Sequence, residues 1–219
     1  MSFRSTLLLS VGILLGILWQ RYYGVHQLFL DLNIRTIEYS NSSNRQAINA
    51  STLHRPLVIL VLGQSNVANS AELRFSGNKR IFNYYQGKLY PAQDPLLGST
   101  GTRGSLWVLV GKMLKETNPD RDIVIVPAAR DNSSVKSWQP NEINGDLVEE
   151  TSAYLTDSNL DVDVIIWGQG ERDSMDNMTG STYKALLTKA VSHIHNNFPK
   201  KSVLVSITSR CFLSKANIH

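Results

Sequence analysis

Two short apolar runs, each followed at once by an unusual polar block, constrain the fold of this chain more than any other feature. The first run covers residues 56–62 and ends at Gly63, and the second covers residues 162–167 and ends at Gly168. Runs of this kind fit strands that are buried on both faces of a parallel sheet. Because parallel strands bring their carboxyl ends to one edge of the sheet, the two polar blocks are expected to lie along the same edge.

The predicted elements alternate between strands and helices along the chain. Strands are predicted at residues 57–62, 123–126, 162–167 and 203–206, and helices directly after Ser65 and at residues 106–114, 147–155 and 182–198. This alternation predicts an α/β fold, in which a parallel sheet carries helices on both faces. A long loop is predicted at residues 75–102, and its tyrosines either line a substrate cleft, where they stack on a sugar ring, or pack over the sheet.

Ser65 is a candidate nucleophile, because it directly follows a buried strand at the sheet edge where α/β proteins collect their ligands. Free N–H groups at the start of a following helix would favour negative charge there. The alternative is a plain helix cap, since the run Gln64-Ser65-Asn66 is also a good turn and capping sequence.

The second polar block places Gln169 between two glycines and follows it with Glu171. The glycines allow the backbone to approach a ligand closely, and the Gln169 amide can donate a hydrogen bond to an oxyanion. A loop that merely ends a strand does not need a glycine on both sides of a glutamine. The block therefore favours the functional interpretation of Ser65.

Together these blocks resemble the sialate O-acetylesterase and acetylxylan-esterase type of carbohydrate esterase, a group within the SGNH (GDSL-like) hydrolase superfamily. The resemblance extends over residues 56–206 and is carried by four blocks, which are Gly63-Gln64-Ser65-Asn66, Asp94-Pro95-Leu96 with Gly101, Gly104 and Trp107, residues 128–138, and Trp167-Gly168-Gln169-Gly170-Glu171-Arg172-Asp173. It implies a three-layer, flavodoxin-like sandwich and hydrolysis of an acylated carbohydrate, an acetyl ester above all, through an acyl-serine intermediate. No cofactor is implied.

The resemblance also assigns roles to individual residues. Ser65 would be the nucleophile, and its own N–H would form part of the oxyanion hole together with donors from Gly104 and Gln169. Each such donor is typically worth a few kcal/mol in the transition state. Gln64, Asn66 and Glu171 would support the site, with Glu171 holding its loop and not reacting.

The same family pattern requires a histidine after the last strand, with an aspartate three residues before it. Here the residue three before His219 is Ala216. We therefore expect an incomplete domain that lacks its C-terminal strand and helix, and little or no esterase turnover, because serine without a base is a weak nucleophile. The alternative is a non-catalytic, membrane-anchored carbohydrate-binding protein with the esterase fold. An anion-binding α/β domain of another kind would leave the two blocks unexplained.

The N-terminal segment indicates export. Arg4 precedes an apolar stretch at residues 7–19, which an aromatic and basic flank follows at residues 20–23. Residues 1–23 are thus predicted to be a signal anchor or a cleaved signal peptide, with a buried core helix as the alternative. Residues 24–54 are predicted to be a flexible stalk, since residues 38–52 are rich in Asn and Ser, and residues 55–219 to be the esterase-like domain. Localisation at a membrane or outside the cell follows.

Composition narrows the possible partners. Lysine and arginine number 22 against 18 acidic residues, and no basic cluster alternates with aromatics, so nucleic-acid binding is set aside. The single cysteine, Cys211, excludes an internal disulfide framework. His193 and His195 are two apart on a predicted helix and point to different faces, so no metal site is expected. The oligomeric state is left open.

Overall fold

Six strands form one sheet in residues 41–77 and 79–207, the part of the chain that the computed structural model describes. The strands are β1 (Leu57–Gly63), β2 (Ile81–Tyr85), β3 (Lys88–Pro91), β4 (Ile123–Pro127), β5 (Val164–Gly168) and β6 (Ser202–Val205). Their order across the sheet is β3-β2-β4-β1-β5-β6. All neighbours are parallel except β2 and β3, which pair antiparallel.

Helices cover both faces of this sheet. They are α1 (Leu106–Thr117), α2 (Ile143–Asp157), the short α3 (Glu171–Met175) and α4 (Gly180–Asn197). Residues of α2 and α4 belong to one apolar core cluster, whereas α1 belongs to the other. The predicted α/β sandwich of three layers is therefore confirmed.

The sequence of the central strand β1 is continuously apolar because both of its faces are buried. Leu60 and Leu62 belong to the core under α2 and α4, whereas Ile59 and Val61 belong to the core under α1. Successive side chains of a strand point to opposite faces, and here both faces are buried. β1 also pairs with β5, in a register that sets Gly63 opposite Gly168. The two polar blocks therefore begin side by side at the carboxyl edge of the sheet.

The helix predicted after Ser65 is wrong. The structure has only one 3-10 turn there, Ser65–Val67. Asn69, which is 1% exposed, explains the early end, because its amide donates to the carbonyls of Leu96 and Ser99. These bonds tie the chain to the following loop at the position where a helix would have continued.

The long loop predicted at residues 75–102 is also wrong in part, since it contains the β2–β3 hairpin. The two strands are joined by Gln86 and Gly87, which have φ angles of 45° and 75°. Positive φ at both central residues matches the tight turns that suit the twist of a hairpin. Tyr84 and Tyr90 are buried, so for these two tyrosines packing over the sheet is the correct alternative.

The predicted anchor at residues 1–23 and most of the predicted stalk lie outside the described residues. Within residues 41–77 and 79–207, no helix combines the length and the apolar character that a membrane crossing requires.

Candidate active site

The carboxyl ends of β1 and β5 meet at a junction that only glycine permits. Gly63 has a φ of +133°, and a Cβ at this position would lie 2.1 Å from the carbonyl oxygen of Gly168. The next N–H, that of Gln64, donates to the same carbonyl at 2.8 Å. The two polar blocks are therefore in direct contact, as the sequence predicts.

Ser65 lies just past this junction as the first residue of its 3-10 turn, and it is half-buried. Its carbonyl accepts from the N–H of Ala68 at 3.0 Å. Neither its hydroxyl nor its N–H hydrogen-bonds to any residue in the described ranges. Both groups are thus available to a ligand at the sheet edge.

The neighbours of Ser65 bind the second block. Gln64 is 3% exposed, and its side-chain oxygen accepts from the N–H groups of Gly170 and Arg172 at 3.3 and 3.2 Å. It thereby caps the start of α3, whose first N–H groups have no partner within the helix. Asn66 donates from its amide to a carboxylate oxygen of Glu171. Ser65 is held between two side chains that are both fixed to the α3 loop.

Gln169 is buried, at 2% exposure, and its amide is committed to internal acceptors. Its Nε2 lies 2.5 Å from Asp173 Oδ2, 2.8 Å from the carbonyl of Ser133 and 3.2 Å from Gln64 Oε1. A side-chain amide has two N–H groups, so three acceptors leave none to spare. In this structure Gln169 holds the loops together and does not offer a free donor beside Ser65.

Asp173 is the residue at the centre of this network, and the sequence analysis gives it no role. It is fully buried and accepts from the hydroxyl of Ser134 and the N–H of Val135, at 2.5 and 2.9 Å, as well as from Gln169. Its spacing of four residues from Gln169, across the start of a helix, is the signal that could have identified it. Asp173 links residues 133–135 to the α3 loop.

Tyr183 completes the network from α4. Its hydroxyl lies 2.6 Å from the carbonyl of Gln169 and 3.0 Å from that residue's side-chain oxygen. Burial raises the pKa of Tyr183 to about 12. The phenol therefore stays protonated and remains a donor at neutral pH.

The two glycines of the loop at residues 101–104 differ in whether their N–H groups are already hydrogen-bonded. The N–H of Gly104 donates to the carbonyl of Ala71 at 3.0 Å, and the N–H of Ala71 donates back at 2.8 Å. The Gly104 donor that the sequence analysis favoured is thus already used. Gly101 has a φ of +95°, and its N–H has no hydrogen-bond partner among the described residues.

A sequence model of the family described as "Carbohydrate esterase, sialic acid-specific acetylesterase" matches residues 56–213. The chain belongs to this family. The match covers all of the elements that build the network above, so the resemblance seen in the sequence is confirmed.

Solved structures agree on the fold of this esterase domain. A protein from Arabidopsis thaliana is 14% identical, with a TM-score of 0.61 over 75% of this chain and 83% of that chain. NanS is 18% identical, with a TM-score of 0.50 over 66% of this chain and 62% of that chain. No protein in the curated set matches this chain.

The histidines in the described part of the esterase domain lie away from Ser65. The N–H of His54 donates to Asp122, just before the amino end of β1. His193 is 5% exposed, and its Nε2 lies 3.2 Å from the carbonyl of Gly145, between α2 and α4. His195 is exposed on α4, and His219 lies outside the described residues. Within residues 41–77 and 79–207, no cluster of three metal-binding side chains is found.

Two carboxylate oxygens at the carboxyl edge of the esterase domain are buried without a donor. They are Oδ1 of Asp131, which follows β4, and Oε2 of Glu171, at the start of α3, and neither has a hydrogen-bond partner in the structure as described. Buried polar atoms are nearly always paired, so such exceptions are informative.

Trp138 packs in the core of the domain. It is 1% exposed, its ring meets that of Trp167 edge to face at 5.3 Å, and its indole N–H donates to the hydroxyl of Ser133 at 3.0 Å. It supports the loop that carries the Ser133 carbonyl, to which Gln169 donates.

Proposed function

We propose that the domain hydrolyses O-acyl esters on carbohydrates with Ser65 as the nucleophile. One observation carries the proposal: a half-buried serine keeps its hydroxyl and N–H unengaged at the joined carboxyl ends of β1 and β5, while both of its neighbours are fixed to the second block. The chain belongs to a carbohydrate esterase family. Its description names sialic acid, so O-acetylated sialic acid is the first substrate to test.

The proposed reaction has two steps. Ser65 Oγ attacks the carbonyl carbon of the ester and loses its proton to a base, and the bond to the sugar oxygen then breaks as that oxygen takes up a proton. Water attacks the resulting acyl-serine and releases the carboxylic acid. The N–H of Ser65 stabilises the oxyanion in both steps, and the N–H of Gly101 is the second donor that we favour.

In our proposal Gln169 positions the loops around Ser65 and does not itself donate to the oxyanion. Its amide would have to leave Asp173, Ser133 or Gln64 before it could donate to an oxyanion. An internal network of this kind fixes the backbone that carries the donors, which is a requirement for a preorganised oxyanion hole.

We further propose that this chain by itself turns over esters weakly or not at all. A serine hydroxyl needs a neighbouring base, and within residues 41–77 and 79–207 no histidine lies at the carboxyl edge. Without such a base, only the part of catalysis that comes from binding and from the oxyanion hole would remain. The second candidate function, a non-catalytic carbohydrate-binding protein, is favoured by this same observation.

The test is covalent modification of Ser65 in the full chain. A fluorophosphonate probe should phosphonylate the chain slowly, because no base is described beside Ser65, and peptide mass spectrometry should locate the label on Ser65. Ser65→Ala should lose the label, whereas Ser70→Ala, at an exposed serine five residues later, should keep it. Equal labelling of Ser65→Ala would overturn the assignment.

Turnover of p-nitrophenyl acetate and of O-acetylated sialic acid, measured in parallel, separates the two functions. A Ser65-dependent rate supports the esterase. An absent rate and absent labelling, together with binding of the deacetylated sugar, support the carbohydrate-binding protein.

Export remains part of the proposal. The apolar stretch at residues 7–19 would carry the chain to or across a membrane. Membrane fractionation followed by sequencing of the mature N-terminus tests it. An intact N-terminus in the membrane pellet indicates an anchor, a shortened one in the soluble exported fraction indicates a cleaved signal, and retention inside the cell contradicts both.

A further inference from the structure

Helix α1 carries large apolar side chains on two opposite faces. Its inner face packs on the sheet through Trp107 and Val108, which are buried. Leu106, Leu109 and Met113 are spaced three and four residues apart along its outer face, and all three are exposed. A surface helix normally turns polar residues outward, and a helix that is apolar on all sides is normally buried. The outer face of α1 is therefore a candidate docking surface.

Leu73 extends this surface beyond the start of α1. A Cβ on Gly104 would lie 1.6 Å from the carbonyl oxygen of Leu73, so the backbone of Leu73 lies directly against the loop that leads into the helix. We call the four exposed side chains the apolar stripe. They are Leu73, Leu106, Leu109 and Met113, and they are between 39% and 65% exposed. Exposed apolar surface that polar residues surround is typical of protein-binding or membrane-binding sites.

The apolar stripe lies on the basic side of the sheet. The loop and helix at residues 101–117 contain three basic residues and one acidic residue, which are Arg103, Lys112, Lys115 and Glu116. On the other side of the sheet, α2 contains four acidic residues and no basic one, and α4 adds two lysines. The net charge is thus +2 beside the stripe and −2 on the opposite side, with the histidines neutral.

The two lysines of α1 keep their charges beside the stripe. Lys112 Nζ lies 5.7 Å from the centroid of the Phe75 ring. Lys115 donates to the carbonyls of Pro119 and Arg121 at 2.9 and 2.6 Å. These partners are neutral, so they position the two ammonium groups without neutralising them. An apolar helix face with cations along its flank is the arrangement that binds the headgroup region of a membrane.

We propose that the apolar stripe is a membrane-docking face, which binds the surface of a bilayer that contains anionic lipid. Anionic headgroups complement the positive charge of residues 101–117, and the acyl chains complement the four apolar side chains. The proposed export brings the domain to or across a membrane. The docking face goes beyond the proposed function, because it does not depend on the chemistry at Ser65.

A second copy of this chain is a poorer occupant than a membrane. A two-fold contact through α1 would use the same face of both copies and would bring their basic residues together. Like charges at such a contact oppose association, whereas an anionic surface attracts them.

Docking through the stripe has a consequence for the active site. The indole N–H of Trp107 donates to the carbonyl of Val67 at 2.6 Å, so α1 begins beside the 3-10 turn that contains Ser65. A domain that binds a bilayer through α1 would therefore hold Ser65 close to the membrane surface.

The experiment measures whether single positions of the full chain enter a bilayer. Leu9→Asp and Leu14→Asp interrupt the apolar stretch at residues 7–19, so that binding reports on the domain alone. Cys211→Ser removes the single native cysteine, and one new cysteine then carries the fluorophore NBD.

The fluorophore is placed on the stripe through Leu109→Cys or Met113→Cys. Ile143→Cys is the matched control, because Ile143 is also an exposed apolar residue but begins α2 on the opposite side of the sheet. The probes are vesicles of phosphatidylcholine, either pure or with about one third phosphatidylglycerol. Circular dichroism verifies that each labelled chain is folded.

We expect the anionic vesicles to raise NBD emission at least about threefold at positions 109 and 113 and to leave it unchanged at position 143. Lipids that carry a doxyl group on the acyl chain should quench the raised emission. Arg103→Gln together with Lys112→Gln should increase the lipid concentration for half of the rise at least about tenfold. Lys184→Gln together with Lys189→Gln removes the same charge from α4 and should change it less than about twofold.

Four results would overturn the docking face. Emission could fail to rise at both stripe positions, or it could rise equally at position 143. An equal rise with pure phosphatidylcholine would show that anionic lipid is not recognised. A rise that needs no vesicles, grows with protein concentration and resists doxyl quenching would identify a second copy of the chain as the occupant.

Discussion

The two edges of the sheet treat their carboxylates differently. At the amino edge, Asp122 is fully buried and accepts from the N–H of His54 at 2.7 Å and from the guanidinium of Arg80. Asp163 accepts from the N–H of Val58 at 2.8 Å and faces Arg121 at 3.4 Å. These carboxylates hydrogen-bond the backbone at the start of β1 to the segments that precede β4 and β5.

At the carboxyl edge, Asp173 is paired in this way, and one oxygen of Glu171 accepts from Asn66. Asp131 and Glu171 each keep a buried oxygen without a donor in the described structure. Leaving a buried acceptor unpaired costs about 1–3 kcal/mol. Asp122 and Asp163 avoid that cost, although Asp94, in the loop after β3, also has a buried oxygen without a partner. The difference between the two pairs, Asp122 and Asp163 against Asp131 and Glu171, agrees with the placement of Ser65 at the carboxyl edge.

The largest expected effect comes from breaking the junction at this edge. Gly63→Ala would set a Cβ 2.1 Å from a backbone oxygen and would also force a non-glycine residue to a φ of +133°. We expect a loss of more than about 3 kcal/mol in the free energy of unfolding, or no folded protein. Chemical denaturation measures it.

Gly87→Ala in the hairpin turn is the matched control for the junction. It has a positive φ of 75°, but the nearest atom to its Cβ would be a ring carbon of Tyr154 at 4.0 Å. Only the backbone strain remains, so the expected loss is about 1 kcal/mol. Equal losses in the two variants would show that the β1–β5 approach is not what requires Gly63.

A pair of isosteric changes compares the two edges directly. Asp173→Asn and Asp122→Asn each replace a carboxylate, which accepts several hydrogen bonds, with an amide. The NH₂ group of the amide then faces donors and cannot accept from them. We expect each to lose about 2 kcal/mol of stability. Only Asp173→Asn should also slow fluorophosphonate labelling of Ser65, because only that residue holds the α3 loop. Equal labelling rates in both variants would contradict this.

The parts of the fold that the sequence predicts are those with a simple burial pattern. β1 is apolar throughout because both of its faces are covered, and β4 likewise. The β2–β3 hairpin is missed because the polar residue Asn83 interrupts the apolar pattern of β2. Asn83 is buried, and its side chain hydrogen-bonds to the backbone of Leu97. A buried asparagine that serves a distant loop has no local signal.

The candidate site likewise has features that the sequence predicts and features that only the structure shows. The sequence predicts that both blocks lie at the same edge of the sheet, and the register of β1 against β5 then brings Gln64 into contact with the second block. The hydrogen bonds of Gly104 and Asp173 depend on how loops approach one another in space. No periodicity encodes that approach, so the partner of Gly104 and the bonds of Asp173 to residues 134 and 135 needed the structure, although the spacing of Asp173 from Gln169 was a signal for the residue itself.

Tyr183 allows a test of the network by pH. Because burial raises the pKa of Tyr183 from its ordinary 10 to about 12, the folded state holds the phenolic proton more tightly than the unfolded state does. This contribution to stability is complete below pH 10 and is lost as the pH rises from 10 to 12. Tyr183→Phe should cost about 1 kcal/mol near neutral pH, through its lost hydrogen bond.

The difference in unfolding free energy between the native chain and Tyr183→Phe should therefore shrink between pH 10 and 12. Other titrating groups act equally in both proteins and cancel in the difference. A difference that stays constant to pH 12 would show that burial does not raise the pKa of Tyr183 in the folded state.

The smallest expected change in stability concerns the unpaired oxygens of Asp131 and Glu171. It is also the most direct test of the difference between the two edges of the sheet. Asp131→Asn and Glu171→Gln each replace a carboxylate that has one buried oxygen without a described donor, so the free energy of unfolding should change by less than about 0.5 kcal/mol or should increase. At the amino edge, Asp163→Asn removes a paired carboxylate and should cost about 1 kcal/mol. If the carboxyl edge is kept for function, Asp131→Asn and Glu171→Gln should weaken sugar binding or slow Ser65 labelling while stability holds. A loss of stability as large as that of Asp163→Asn would mean that both edges use their carboxylates in the same structural way, and the distinction between them would fall.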